Sequence, residues 1–230
     1  MDRYPTPQAA TVLGEQRLHA FLVKHGDCGR QPAAKLLARL RAAPAGLVGT
    51  VEVDARRDQL AAYVRVLRAL NQAIKDLDRS IVAHLGEHPD AAVFTSLPRS
   101  GRINAAQMLA EWGDCRQAYP DADAVAALAG ASPVTRQSGK HRAVSFRWAC
   151  NKRLRQALMT FADNSRHASP WAATVYAGAR GRGCDHPHAV RILARAWVRV
   201  MWRLWVNQTP YDPGKHRSAR RLTEMTASAA

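Results

Sequence analysis

Between residues 53 and 85, Leu60, Leu67, Ile74 and Ile81 recur every seven residues. Tyr63, Leu70 and Leu77 fill the positions between them, and His84 takes the next one. A stripe with this period can only be one long helix, because a strand would alternate every second residue. The repeat tracks 3.5 residues per turn more closely than 3.6, which favours a coiled coil. One amphipathic helix of a bundle is the alternative. The segment GEHPD closes this helix.

Helical signals also dominate the flanks. Thr6 with Pro7 reads as a helix start, and Gly26 as its end. RQPAAKLLARLRAAPAG reads as a short helix stopping at Pro44. Residues 93–114 are two apolar stretches joined by a tight turn at Pro98 to Gly101. That pattern resembles a helix-hairpin-helix, with Arg99 where a first glycine is usual; a purely structural helical hairpin is the alternative. DADAVAALAG reads as a short helix, followed by a loop through RQSGK. A helix is predicted from Arg147 to Ala162, with Leu154, Ala157, Leu158 and Phe161 on its apolar face. Ser169 and Pro170 start another, which GARGRG ends. The last long helix runs from Pro187 to about Asn207. No hairpin signal stands out, so the expected fold is mainly α. The domain reading is a helical connector at 1–50, a coiled-coil linker at 53–88, a compact helical domain at 91–212 and a polar tail at 213–230.

Charge narrows the function. The 230 residues carry a net +16, unevenly placed. Residues 1–135 hold 16 Lys and Arg against 14 Asp and Glu; residues 136–230 hold 18 against 4. A balance of +14 in the second part points to a polyanion partner, with a merely solubilising surface as the plainer reading. Arg191, Arg195, Arg199 and Arg203 step by four along the last helix, with Trp202 in the same stripe. Such a ridge suits a nucleic-acid backbone, although arginine stems covering apolar surface would give the same pattern. Arg136, Lys140, His141, Arg142, Arg147, Lys152, Arg153 and Arg155 add to the candidate nucleic-acid contacts.

Other classes receive little support. No apolar run is long enough to span a bilayer, and the N-terminus lacks a secretory pattern. The cysteines Cys28, Cys115, Cys150 and Cys184 are scattered, which suits a reducing cytoplasm rather than a disulfide framework. CDHPH at 184–188 holds three potential ligands, but its spacing fits no usual zinc pattern, and Asp185 or His186 reads better as a helix cap before Pro187.

Ser138 lies in the RQSGK loop among Arg136, Lys140, His141 and Arg142. A Ser-Gly in a loop is ordinarily a turn. A serine attacking a phosphodiester needs neighbouring positive charge and a proton acceptor, and His141 is a candidate for the latter.

The runs SLPRSGRINAAQMLAEWGD, PVTRQSGK, NKRLR and NSRHASPWA resemble the C-terminal transposase domain of the insertion sequence 110 family. The resemblance covers about residues 50–215, and RYPTPQAATVLGEQRLHAFLVKHG resembles the family's upstream connector. It implies a DNA transposase in which Ser138 matches the nucleophilic serine. It implies DNA (element ends and target) and a guide RNA as partners, and a homo-oligomer, dimer or tetramer, assembled by the linker helix. The expected location is cytoplasmic, with the nucleoid. The family's RuvC-like domain, with four acids that bind divalent metal (Mg), has no matching motif in this sequence. The expectation is therefore a chain that binds no metal alone and cannot complete transposition alone. The alternative is a non-catalytic fragment that binds nucleic acid and oligomerises.

Overall fold

The computed structural model of the chain describes residues 4, 6, 10–43 and 49–215. The expectations at Pro7, Pro44 and the tail beyond residue 215 lie outside them. Nine helices and a two-stranded hairpin follow one another among the described residues: α1 (Glu15–Lys24), α2 (Ala33–Arg41), α3 (Thr50–Glu87), α4 (Ala91–Thr95), α5 (Arg102–Trp112), α6 (Ala122–Leu128), β1 (Val134–Ser138), β2 (His141–Ser145), α7 (Lys152–Ser165), α8 (Pro170–Gly181) and α9 (His186–Asn207). The fold is mainly α, as the sequence predicts. The chain divides into two compact units, Met1–Asp76 and Leu77–Ala230, with the division inside α3.

In the first unit, α1 and α2 bury Leu18, Ala33 and Leu37 with Leu13 in a small apolar cluster. The long helix α3 has the span its heptads predict. On its stripe Tyr63, Leu67, Leu70, Ile74 and Leu77 are each more than half exposed.

The second unit carries the main core, where Phe94, Met108, Trp112, Leu154, Leu158, Phe161, Trp197 and Trp205 are almost wholly buried. Trp197 is its centre, with edge-on contacts to Phe161, Trp171 and Tyr211 at 5.1, 4.7 and 5.4 Å between ring centroids. Its indole N–H donates to Ser165 Oγ at 2.8 Å, and that hydroxyl donates to the Ala162 carbonyl. A second tie joins distant segments: Arg116 pairs with the buried Asp90, donates to the Trp205 carbonyl and lies over the Trp205 ring.

Helix starts follow their capping chemistry. Asp121, Asn151, Ser169 and Asp185 each accept a backbone N–H of the first turn of α6, α7, α8 and α9, and Pro170 and Pro187 sit in the opening turns of α8 and α9. Asn151 corrects the predicted start of α7: its side chain accepts from Arg153 and Leu154, so the helix begins at Lys152 rather than Arg147, and it runs on to Ser165. Between α4 and α5, Arg99 holds φ 56° and Gly101 φ 70°. Arg99 thus occupies a left-handed conformation that costs a non-glycine residue about 1–2 kcal/mol.

The hairpin is the other correction. β1 and β2 pair antiparallel from Val134 opposite Ser145 to Ser138 opposite His141. Gly139, at φ 56°, and Lys140 form a two-residue turn with positive φ at its first position only, the type II′ pattern that matches strand twist.

Two measurements follow from this core. Ser165→Ala removes the acceptor of a buried indole N–H and should cost about 1–3 kcal/mol in urea unfolding; an unchanged midpoint would show that this bond does not matter. Burial, with a smaller push from Cys115, raises the Tyr119 phenol pKa; burial, then Asp212, outweighs an opposing Ser169 hydrogen bond and raises Tyr211. Neutral phenols are favoured in the fold, so their stabilisation is complete below the unfolded tyrosine value of about 10 and is lost as pH rises through the folded values. Ultraviolet titration should show these phenols ionising later than the exposed tyrosines, together with alkaline loss of helical signal.

Candidate nucleic-acid interface

Most of the hairpin stands in solvent. Arg136, Ser138, Lys140 and His141 are exposed. Register places Arg136, Ser138 and His141 on one face, since each strand alternates and Ser138 faces His141 across the turn. Arg142 is opposite Gln137 in the same register. Ser138 is the last residue of β1, so at about 3.4 Å per residue it lies about 14 Å from the strand's start at Val134.

The base of the hairpin is anchored by one junction. The Arg155 guanidinium lies 4.5 Å from the centroid of the Phe146 ring, and Arg191 of α9 lies over the same ring at 4.5 Å. Arg155 also donates to the Arg147 carbonyl and to Cys150 Sγ. Gly130, at φ 65°, leaves the space for this: a Cβ there would stand 2.5 Å from Arg155 Nη2 and 2.8 Å from Nε. Arg147 donates to the Ser132 carbonyl at 3.3 Å. Arg155 is therefore committed to internal contacts.

Beside this junction, a cavity of about 460 Å³ lies between the hairpin base and α9. It brings together Arg147, Arg191, Arg195 and Arg199 from the predicted set. Arg195 bonds Asp123 Oδ1 at 3.1 Å, and Arg199 approaches the same oxygen at 3.8 Å. Lys152 and Arg153 are exposed at the start of α7, with Arg153 3.8 Å from Glu111. Trp202 is placed differently from the exposed ridge aromatic expected: it is half-buried against the main core, and its indole donates to the Tyr119 carbonyl. The exposed aromatic is instead Trp148, 77% accessible and in edge contact with Phe146 at 4.9 Å. Sequence reading missed it, although the alternation Phe146-Arg147-Trp148 directly after a basic segment was the available signal.

Among the described residues no group of three or more His, Cys, Asp or Glu gathers that could hold a metal ion. At the CDHPH segment, Asp185 caps α9 and His186 Nδ1 is hydrogen-bonded to the Tyr176 hydroxyl at 2.9 Å. No helix among the described residues is long and apolar enough to cross a membrane.

The mainly α domain thus carries a basic hairpin arm and an arginine-lined cleft. Residues 91–177, which run from α4 through the hairpin into α8, match the model of the transposase IS116/IS110/IS902 family. The chain is 35% identical over 196 residues to the candidate transposase of the IS117 mini-circle from Streptomyces coelicolor, covering 84% of this chain and 47% of that one. It is 30% identical over 217 residues to an uncharacterized 42 kDa protein of insertion element IS900 from Mycobacterium paratuberculosis, covering 94% and 54%. A 44.8 kDa protein of insertion element IS116 from Streptomyces clavuligerus is 30% identical over 222 residues, covering 93% and 53%. The chain belongs to the IS116/IS110/IS902 transposase family, and it spans about half the length of the curated relatives it matches.

The Gly130 junction yields a coupling test. Gly130→Ala combines a left-handed backbone with a clash against Arg155 and should cost about 2–4 kcal/mol. In an Arg155→Ala background that cost should fall toward the backbone part, about 1–2 kcal/mol, with only the Cys150 Sγ contact at 3.0 Å added to it. Equal costs in both backgrounds would mean that the two residues do not share this space.

Proposed function

We propose that this chain is the serine-bearing part of a DNA transposase or recombinase, with Ser138 as nucleophile. The observation that carries the reading is the placement of Ser138: exposed, at the tip of a hairpin inside the family-matched segment, with Arg136 on its face and His141 as its cross-strand neighbour. An exposed arm can reach a phosphodiester in a duplex groove, whereas a buried serine cannot.

In the proposed step, Ser138 Oγ forms a bond to phosphorus and the bond to one deoxyribose oxygen breaks. That oxygen takes up a proton from solvent water and leaves as a hydroxyl. The serine proton passes to the His141 imidazole. Arg136 and Lys140 offset charge developing on the phosphoryl oxygens. The resulting phosphoserine ester keeps the energy of the broken bond for rejoining. Divalent metal, in this reading, is held by RuvC-like acids and not by residues of this sequence.

The arginine-lined cleft, Lys152 and Arg153 are proposed to contact the DNA or a guide RNA. The exposed heptad stripe of α3 is proposed to pair with a second copy. A polar double substitution, Leu67→Asp with Ile74→Asp, should then abolish self-association in sedimentation while residues 77–230 stay folded. Retained association would remove the coiled coil from the reading.

The direct test is covalent capture on nicked element-end DNA with a RuvC-like protein supplied. Wild type should give a protein–DNA adduct and Ser138→Ala none. No wild-type adduct, or an equal adduct with Ser138→Ala, sinks the nucleophile. Steeply salt-dependent binding without an adduct would support the non-catalytic binding reading instead.

A further inference from the structure

The cleft beside the hairpin base carries more than positive charge. Ser132 is 8% exposed and lines it, and its hydroxyl oxygen has no hydrogen-bond partner in the described protein. Arg195 Nε, in the same lining, is likewise buried and unpartnered. Pro133, Val144, Ile192 and Ala196 supply apolar wall. A site for bare phosphate has no use for that wall, and the backbone of an intact duplex offers only the C–H edges of its sugars, with no flat ring to lie along it. A volume of about 460 Å³ lies within the range of about 300–1,000 Å³ usual for small-molecule clefts.

We propose that this cleft takes one unstacked nucleotide of a nucleic-acid strand, an inference that rests on the nucleic-acid reading above. Its phosphate lies against Arg195 and Arg199. These two guanidiniums share the single carboxylate of Asp123, so positive charge is left over for an anion. The base lies along the apolar wall and the Arg191 guanidinium, which stacks on bases as aromatics do. The Ser132 hydroxyl bonds a polar atom of the nucleoside. Ser138 stands at the far end of the hairpin arm, so this is a holding site and not the place of strand cleavage. A site of this kind favours strands that can release a nucleotide from the stack, such as single strands, over closed duplex.

The test measures binding of the full chain to a labelled single-stranded oligonucleotide and to a blunt duplex, by anisotropy at one salt concentration. Ala196→Phe narrows the cleft without changing charge, and it should weaken single-strand binding by about tenfold while duplex binding moves by less than about twofold. If circular dichroism shows that this variant does not fold, Ser132→Ala is read by the same ratio. Deoxyadenosine monophosphate should compete for the single strand far better than inorganic phosphate. Equal competition by inorganic phosphate, or an equal change on both substrates, overturns the nucleotide site while leaving general nucleic-acid binding intact. Absence of binding to either substrate at low salt overturns that broader reading as well.

Discussion

The placement of the hairpin arm depends on one guanidinium in a space that only glycine leaves open. Arg155 occupies the volume that a Cβ at position 130 would take. From there it holds the carbonyl of Arg147, the sulfur of Cys150 and one side of the Phe146 contact. Phe146 in turn meets Arg191 on α9. The segment leading into the hairpin, the segment leaving it, α7 and α9 therefore converge on one junction. A cation against an aromatic ring contributes about 0.5–2 kcal/mol, more as water is excluded. With the hydrogen bonds added, this suffices to fix the root of a hairpin that has almost no apolar core of its own. Its tip remains in solvent, where a polyanion can reach it.

Much of the fold was legible because local chemistry and tertiary packing agree. Asp185 and Ser169 cap the helices they were expected to begin, and the apolar face of α7 is the one buried. The hairpin was not legible, because alternation of apolar and polar residues marks a strand only when one face is covered. Here Thr135, Arg136, Gln137 and Ser138 are all exposed, so the pattern had nothing to record. The remaining clue was Ser-Gly-Lys-His, with glycine at the first turn position, which reads equally well as an open loop.

The site was legible in its charge and less so in its roles. Helical periodicity placed Arg155 off the buried face of α7, and so it is; the 130–150 segment then folds over it, a contact that no periodicity encodes. Trp202 shared a stripe with four arginines, yet it is half-buried against the main core and its indole donates to the Tyr119 carbonyl. Trp148 follows a strand and precedes a cap, where neither the helical nor the strand template applies, and it emerges as the exposed ring.

The proposed roles place two separate demands on this surface. In the proposed reading, attack on a phosphodiester needs an accessible nucleophile that can follow the DNA, and the exposed hairpin tip would supply it. Keeping register between strands needs a fixed grip, and in the same proposal the cleft, walled by a long helix packed into the core, would give it. Placing both on one rigid surface would force the same contact to hold and to react. The two sites are instead joined through Phe146, whose ring touches Arg155 at the root of the arm and Arg191 at the edge of the cleft. A ligand drawing Arg191 toward a base would therefore act on the root of the arm through an existing contact. Its influence on Ser138 is limited to what one cation–aromatic contact can transmit, about 0.5–2 kcal/mol. That is enough to bias the arm's orientation by several-fold and too little to unfold it.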